Sequence, residues 1–294
     1  MRHSGQGDGE RTARSGVLRK LHQLGDGLLA TAQQRLYPVL AAKLRDAQVF
    51  HTPFLHLPPA VRKLPGIARC VTVPDLNPIV HPEYFPPVVN RWSAKVMANI
   101  APGDWVLTVS QFVKDDLCER YGIDPQRVRV TYLAADPALY HPGIDAASIG
   151  RVRRRYGIPD GPYLLSLGSL SPHKNVAHLV KCFAEVLQQE RIADLNLVLA
   201  GAEGWALDAL DATLAGMGDR ARRIILTGFV DDTDQAALYG GAMAFAFPSL
   251  CEGFGLPPLE AMQCGTPVIS ADATSLPEVV GSAGILVDPT TRTP

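Results

Sequence analysis

Twice along the chain, short continuous apolar runs alternate with segments whose apolar residues recur every third or fourth position, and that rhythm limits the fold more than any other feature. In the first block, Gln48-Val49-Phe50, Ala68 to Val73, Trp105 to Val109 and Val128 to Tyr132 read as buried strands, separated by helical stretches such as Phe112 to Tyr121. In the second, Tyr163 to Gly168, Leu195 to Leu199, Ile224 to Thr227, Met243 to Phe247, Val268 to Ser270 and Ile285 to Val287 read the same way. The clearest helix carries Val176, Leu179, Val180, Phe183, Val186 and Leu187 at helical spacing. A run that is apolar throughout suits a strand covered on both faces, and strand-helix-strand alternation joins such strands in parallel. The expected fold class is α/β, with two Rossmann-like domains whose parallel sheets face a cleft and whose strand C-terminal ends carry the ligand loops.

Pro137, Pro142 and Gly143 interrupt the pattern between the blocks. Residues 1–16, rich in Gly, Ser and Arg, are expected to be a disordered start, 17–141 an incomplete Rossmann-like domain, and 142–294 a second domain. Arg151, Arg153, Arg154 and Arg155 read as a solvated helix face. Leu18, Leu21, Leu24, Leu28 and Leu29 mark a helix packed on the first domain, with a membrane-surface helix as the alternative. A net charge of −1 supplies no overall field for nucleic acid. Five cysteines without paired spacing argue against a zinc site or a disulfide framework and for a reducing compartment, so the cytoplasm is expected. No apolar run approaches the roughly eighteen residues that span a bilayer, the start is too polar for a signal peptide, and the absence of G-x-G-x-x-G lowers the chance of a dinucleotide oxidoreductase.

The densest chemistry follows Met243 to Phe247. Glu252 and Glu260 flank Gly253, Gly255, Pro257 and Pro258. The glycines permit a sharp turn or close backbone approach, and the prolines preset a helix start, which puts Glu260 in a first helical turn. Amides freed at a helix start suit an anion such as a phosphate. Carboxylates would repel that phosphate but would grip the sugar and ribose hydroxyls on either side of a diphosphate. A sugar nucleotide has that layout.

The stretch from Glu252 to Glu260, followed by Ala261 to Ile269, resembles the E-x7-E motif of retaining glycosyltransferases of the GT-B fold, family four, also called glycosyltransferase group 1. The resemblance implies that Glu252 holds donor-sugar hydroxyls, that Glu260 holds the ribose, and that Gly253, Phe254, Gly255 and Leu256 lend backbone groups to sugar or phosphate. Gly168 to Asn175 looks like the family's diphosphate loop, with Lys174 neutralising charge on the leaving group. Ser169 and His173 stand where many relatives carry arginine, and His173 would serve fully only when protonated. Leu226 to Val230 resembles the segment beneath the base, giving Gly228 and Val230 as base contacts, and Ala200 to Gly204 occupies a similar strand end. Asp231, Asp232 and Asp234 read as a turn and helix cap. No metal and no bound cofactor are expected, the nucleoside diphosphate sugar being a co-substrate.

On the acceptor side, Val71 to Pro78 looks like the family's strand-end segment that usually reads Thr-x-His-Asp, with Pro74 in the histidine's place and Asp75 retained. A proline side chain neither donates nor accepts, and His51 and His81 are the candidates to replace it. Ser110 matches the family pattern entering a helix, where an N-cap role explains it about as well as ligand contact. Members normally extend further at both ends, so the resemblance is placed at residues 47–290 of a shortened chain. It implies transfer of a hexose, with GDP-mannose put forward as donor, to a glycan or lipid-linked acceptor with retention of configuration, in polysaccharide or lipopolysaccharide synthesis. The alternative is a degenerate sugar-nucleotide-binding protein without turnover, because of Pro74 and the missing terminal elements. Nucleic acid is not expected as a partner, peripheral association with the inner face of the plasma membrane is the variant of the cytoplasmic location, and the oligomeric state is left open.

Overall fold

In the computed structural model the chain is described at Leu44, residues 46–189 and residues 194–291. The start expected to be disordered and the Leu18 to Leu29 helix lie outside the described residues. The chain divides into two compact units, one holding the described residues up to Thr52 with His56–Cys70, the other holding Pro53–Leu55 and Val71 onward. In the smaller unit Ala68 N donates to Gln48 O at 2.8 Å, and Leu57, Val61 and Ile67 are buried. The site lies in the larger unit.

The first four strands, β1 (Val49–Pro53), β2 (Ala68–Thr72), β3 (Trp105–Thr108) and β4 (Val128–Val130), form one sheet in chain order. The remaining six are β5 (Tyr163–Leu167), β6 (Asn196–Ala200), β7 (Ile224–Gly228), β8 (Ala244–Phe247), β9 (Val268–Ala271) and β10 (Ile285–Val287). They run β10-β9-β8-β5-β6-β7, with every neighbouring pair parallel. Each expected strand is present to within three residues at either end. Chain order reverses between β5 and β8, so the segments leaving these neighbours diverge and open a crevice beyond their C-terminal ends.

Burial follows the sequence pattern. All five residues of β6 are buried, and its polar member, Asn196, donates from Nδ2 to Asp194 O at 3.0 Å. Val180 and Phe183 of the Val176–Gln189 helix share one apolar cluster with Leu197 and Leu199. Val198, Phe245 and Phe247 pack instead with Leu238, Ala261 and Leu276. Alternate strand residues thus serve opposite sheet faces, as a doubly covered parallel sheet requires.

The arginine run is exposed at Arg151, Arg154 and Arg155, as expected, and is also paired. On the Ala146–Arg155 helix, Arg155 pairs with Asp231 and, at 2.6 Å, with Asp234, while Arg151 stands 3.8 Å from Asp234. Arg153 donates to Gly161 O at 2.7 Å and lies over the Tyr163 ring. The face is therefore tied back rather than simply solvated. Asp231 and Asp234 are the arginines' counter-ions, and Asp231, at the N-cap of the Asp232–Gly240 helix, makes no side-chain cap bond. No described helix is long and apolar enough to cross a membrane.

Candidate functional site

Two loops meet beyond β5 and β8. The first runs from Gly168 through a short 3-10 turn, Pro172–Lys174, to the Val176–Gln189 helix. Lys174 projects from it over Phe247, Nζ standing 5.0 Å from the ring centroid, and reaches Glu252 Oε1 at 2.5 Å. Ser249 Oγ donates to the same oxygen at 2.5 Å. The two sequence-predicted groups are therefore in contact, and Glu252 partners the ammonium expected to meet a diphosphate. Ser249 and Phe247 were not singled out in the sequence, although both lie within five positions of Glu252 at the end of a strand.

The loop carrying Glu252 is fixed by its backbone. Glu252 N donates to Thr274 Oγ1 at 3.0 Å, and Ser275 Oγ donates to Glu252 O and Phe254 O. Leu250 N donates to His173 O at 2.7 Å, tying the second loop to the first. Gly253 faces the carbonyl of Pro74: a Cβ there would sit 2.2 Å from Pro74 O and 2.9 Å from Asp75 Cβ, so only glycine permits the approach. Gly255 has φ 129°, a conformation closed to other residues, and Phe254 is buried.

The helix that follows is Leu256–Gln263, so Pro257 and Pro258 are its second and third residues and Glu260 its fifth. Glu260 thus belongs to the second turn, not the first. The prolines also carry no N–H, which leaves the helix start poorer in amide donors than the pattern implied. Burial raises the Glu260 carboxyl above its ordinary range, while the hydrogen bond from Tyr239 opposes that. Tyr239 Oη donates to Glu260 Oε2 at 2.9 Å.

His173 is not the cation that the sequence allowed for. Its ring is 8% exposed, stacked 4.9 Å from Phe85 and 6.0 Å from Trp205, and its Nδ1 has no hydrogen-bond partner. Burial, and then the Lys174 charge beside it, lower its pKa from 6.5 to about 4, so the ring is neutral at physiological pH. Trp205 Nε1 donates to Tyr84 O at 2.8 Å and holds this stack in place. Ser169, exposed, pairs with Ser171 through their hydroxyls at 3.0 Å.

From the acceptor-side segment, Asp75 is half-buried and accepts from Asn77 N at 2.9 Å. Burial raises its carboxyl, and the charges of Glu252 and Lys174 both act on it, which places it beside that pair. Ser110 is the N-cap of the Gln111–Tyr121 helix, accepting from Val113 N at 3.2 Å, and its Oγ also donates to Gly253 O at 2.7 Å. Glu278 accepts from Gln111 N at 2.8 Å and Phe112 N at 3.2 Å, a contact the sequence did not suggest. His81 is engaged locally, stacked on Tyr84 with Nδ1 3.6 Å from Glu83, and His51 belongs to the smaller unit.

At the expected base segment, Gly201 N donates to Gly228 O at 2.9 Å, joining the two strand-end loops. Gly228 is exposed, whereas Val230 is 3% exposed and packed in the core, so the expected base contact at Val230 is not presented by this structure. Among the described residues no group of three or more His, Cys, Asp or Glu is placed to hold a metal ion.

Known proteins resemble this chain in sequence and in fold. Residues 161–293 match the family model described as Glycosyl transferases group 1, and residues 6–139 match that of Glycosyltransferase Family 4. The second match begins well ahead of residue 47, where the sequence motifs had placed the start of the resemblance. O-antigen chain mannosyltransferase B of Escherichia coli is 34% identical over 266 residues, covering 89% of this chain and 68% of that protein. The serotype-specific mannosyltransferase WbdA of the same organism is 31% identical over 218 residues, covering 73% of this chain and 26% of that protein. Among solved structures, HepE of Anabaena in complex with UDP and glucose superposes with a TM-score of 0.67 at 21% identity, covering 88% of this chain and 68% of that one. WaaG, a glycosyltransferase involved in lipopolysaccharide biosynthesis, does so with a TM-score of 0.66 at 16% identity, covering 90% and 69%. The fold is GT-B, and the chain belongs to the family 4, group 1 glycosyltransferases.

Proposed function

We propose that this glycosyltransferase moves a mannosyl group from a nucleoside diphosphate sugar, GDP-mannose first, to a glycan or lipid-linked acceptor, with retention at the anomeric carbon. The observation that carries the reading is the Lys174–Glu252 pair, 2.5 Å apart beyond two parallel strands where chain order reverses. The mannosyltransferase relatives support the choice of sugar. On this reading the diphosphate takes the Lys174 ammonium, and Glu252, still held by Ser249, turns its released oxygen to the sugar hydroxyls. Ser169 and the backbone of Gly253, Phe254, Gly255 and Leu256 complete the phosphate and sugar contacts, Glu260 takes the ribose, and Gly228 takes the base. The bond from the anomeric carbon to phosphate breaks, the bond to the acceptor oxygen forms, and the departing phosphate oxygen receives the acceptor's proton. Lys174 is the cation assigned to the diphosphate, so transfer is expected to survive chelation by EDTA.

Pro74 favours a second reading, binding without turnover, because the residue offers Gly253 a carbonyl and the cleft no donor or acceptor side chain. Incubation with GDP-mannose, UDP-glucose or UDP-N-acetylglucosamine and a lipid-linked acceptor separates the two. The expected result is product from GDP-mannose, with the donor's anomeric configuration seen by NMR. An inverted product refutes retention. Donor binding without product, with transfer gained in Pro74→His, establishes the second reading. Failure to bind any of the three nucleotide sugars refutes both.

A further inference from the structure

Glu260 does not stand alone beside its helix. Tyr239, at 0% exposure, donates to its Oε2 at 2.9 Å and is itself held on several sides. Its ring meets Phe245 edge-on at 5.2 Å and Tyr140 at 6.0 Å, and its carbonyl accepts from Thr266 Oγ1 at 2.7 Å. Tyr140 also neighbours Glu260. Its hydroxyl donates to Gln235 Oε1 at 2.9 Å, and Gln235 Nε2 in turn donates to Asp232 Oδ1 at 3.0 Å. A carboxylate has about four lone-pair directions. The Tyr239 phenol fixes the rotation of the group, Tyr140 backs that ring, and the remaining directions suit a pair of adjacent hydroxyls.

We propose that Tyr239, assisted by Tyr140, is a positioning residue for nucleoside recognition, orienting the Glu260 carboxylate so that it takes both hydroxyls of a ribose vicinal diol. The proposal rests on the assignment of Glu260 to the ribose. Neither tyrosine touches the nucleotide. Their effect is confined to ligands that carry the diol, which separates positioning from a loss of packing.

The test is equilibrium binding of GDP and of 2′,3′-dideoxy-GDP to wild-type protein and to Tyr239→Phe. The wild type is expected to bind GDP at least about tenfold more tightly than the dideoxy analogue, an energy of roughly 1.4 kcal/mol. Tyr239→Phe should weaken GDP by a similar factor and leave the dideoxy analogue unchanged, so that the preference collapses. Tyr140→Phe should reduce the preference by a smaller factor, and it provides the same readout if Tyr239→Phe fails to fold. Equal weakening of both ligands, or an undiminished preference in the variants, overturns the positioning role alone. A wild type that binds the two ligands equally overturns the ribose assignment of Glu260 and the proposal with it. One that binds neither overturns the guanine donor, in which case UDP and 2′,3′-dideoxy-UDP take their place in the same comparison.

Discussion

Acid should destabilise this protein through one imidazole. His173 is packed between Phe85 and Trp205, its Nδ1 is buried without a partner, and Lys174 adjoins it. These surroundings lower its pKa from 6.5 to about 4, against a smaller opposing pull from Glu252. Because the folded value is depressed, the unfolded chain binds the extra proton between those two pH values. The stabilisation is therefore complete above the unfolded pKa and is lost as pH falls toward the folded one. With about 1.4 kcal/mol per pKa unit, the loss has a ceiling of about 3 kcal/mol, a large share of the 5–15 kcal/mol typical of a folded protein. Urea denaturation of wild type and His173→Phe, followed from about pH 7 down to about pH 4.5, isolates the effect. The phenyl ring keeps the stack and cannot titrate, while Lys174, Glu252 and every other carboxylate are common to both proteins. Wild type should lose stability relative to the variant, by up to about 1.4 kcal/mol per pH unit near the middle of that range. Parallel stability curves would show that the imidazole is not held neutral, and the reasoning would fail.

Two substitutions probe the neighbouring loops. Lys174→Ala removes the partner of Glu252 and should weaken GDP binding at least about tenfold while leaving guanosine unaffected, as titration of both ligands would show. Equal loss for the two would assign the lysine to loop structure instead. Gly253→Ala forces a methyl to within 2.2 Å of the Pro74 carbonyl, a backbone atom that cannot rotate away. A cost of about 2 kcal/mol in the urea midpoint, with lost GDP binding, is the expected outcome, and an unchanged midpoint would contradict the close approach.

The strands were legible because runs such as Tyr163 to Leu167 and Ala244 to Phe247 are apolar on both faces, a pattern that solvent exclusion imposes on a doubly covered parallel sheet. Lys174 and Glu252 were singled out by a resemblance to motifs at two strand ends, and the order reversal at β5 and β8 is what puts those two ends side by side. What escaped depended on contacts between residues far apart in sequence. The charge of His173 could not be read from its own loop, because the rings that desolvate it belong to Phe85 and Trp205. Asp231 and Asp234 resembled caps until Arg155, on an earlier helix, claimed them. Glu260 was misplaced by a turn for a local reason: helix numbering starts at Leu256, and two prolines in the first turn do not move that start. Tyr239 and Glu278 had no signal of their own, each being defined by the partner that it meets in space.

The Gln111–Tyr121 helix has consequences for how such a chain can change. Its cap, Ser110, holds the Gly253 carbonyl, and its first amides are occupied by Glu278, so its beginning is completed by residues more than a hundred positions away. The segments before and after residue 142 are therefore not interchangeable cassettes. A hybrid that joined this helix to the later half of another transferase would need a carboxylate at the place of Glu278 and a bare backbone at that of Gly253. Without them the graft would lose two bonds at the helix start and leave the buried Ser110 hydroxyl without its acceptor.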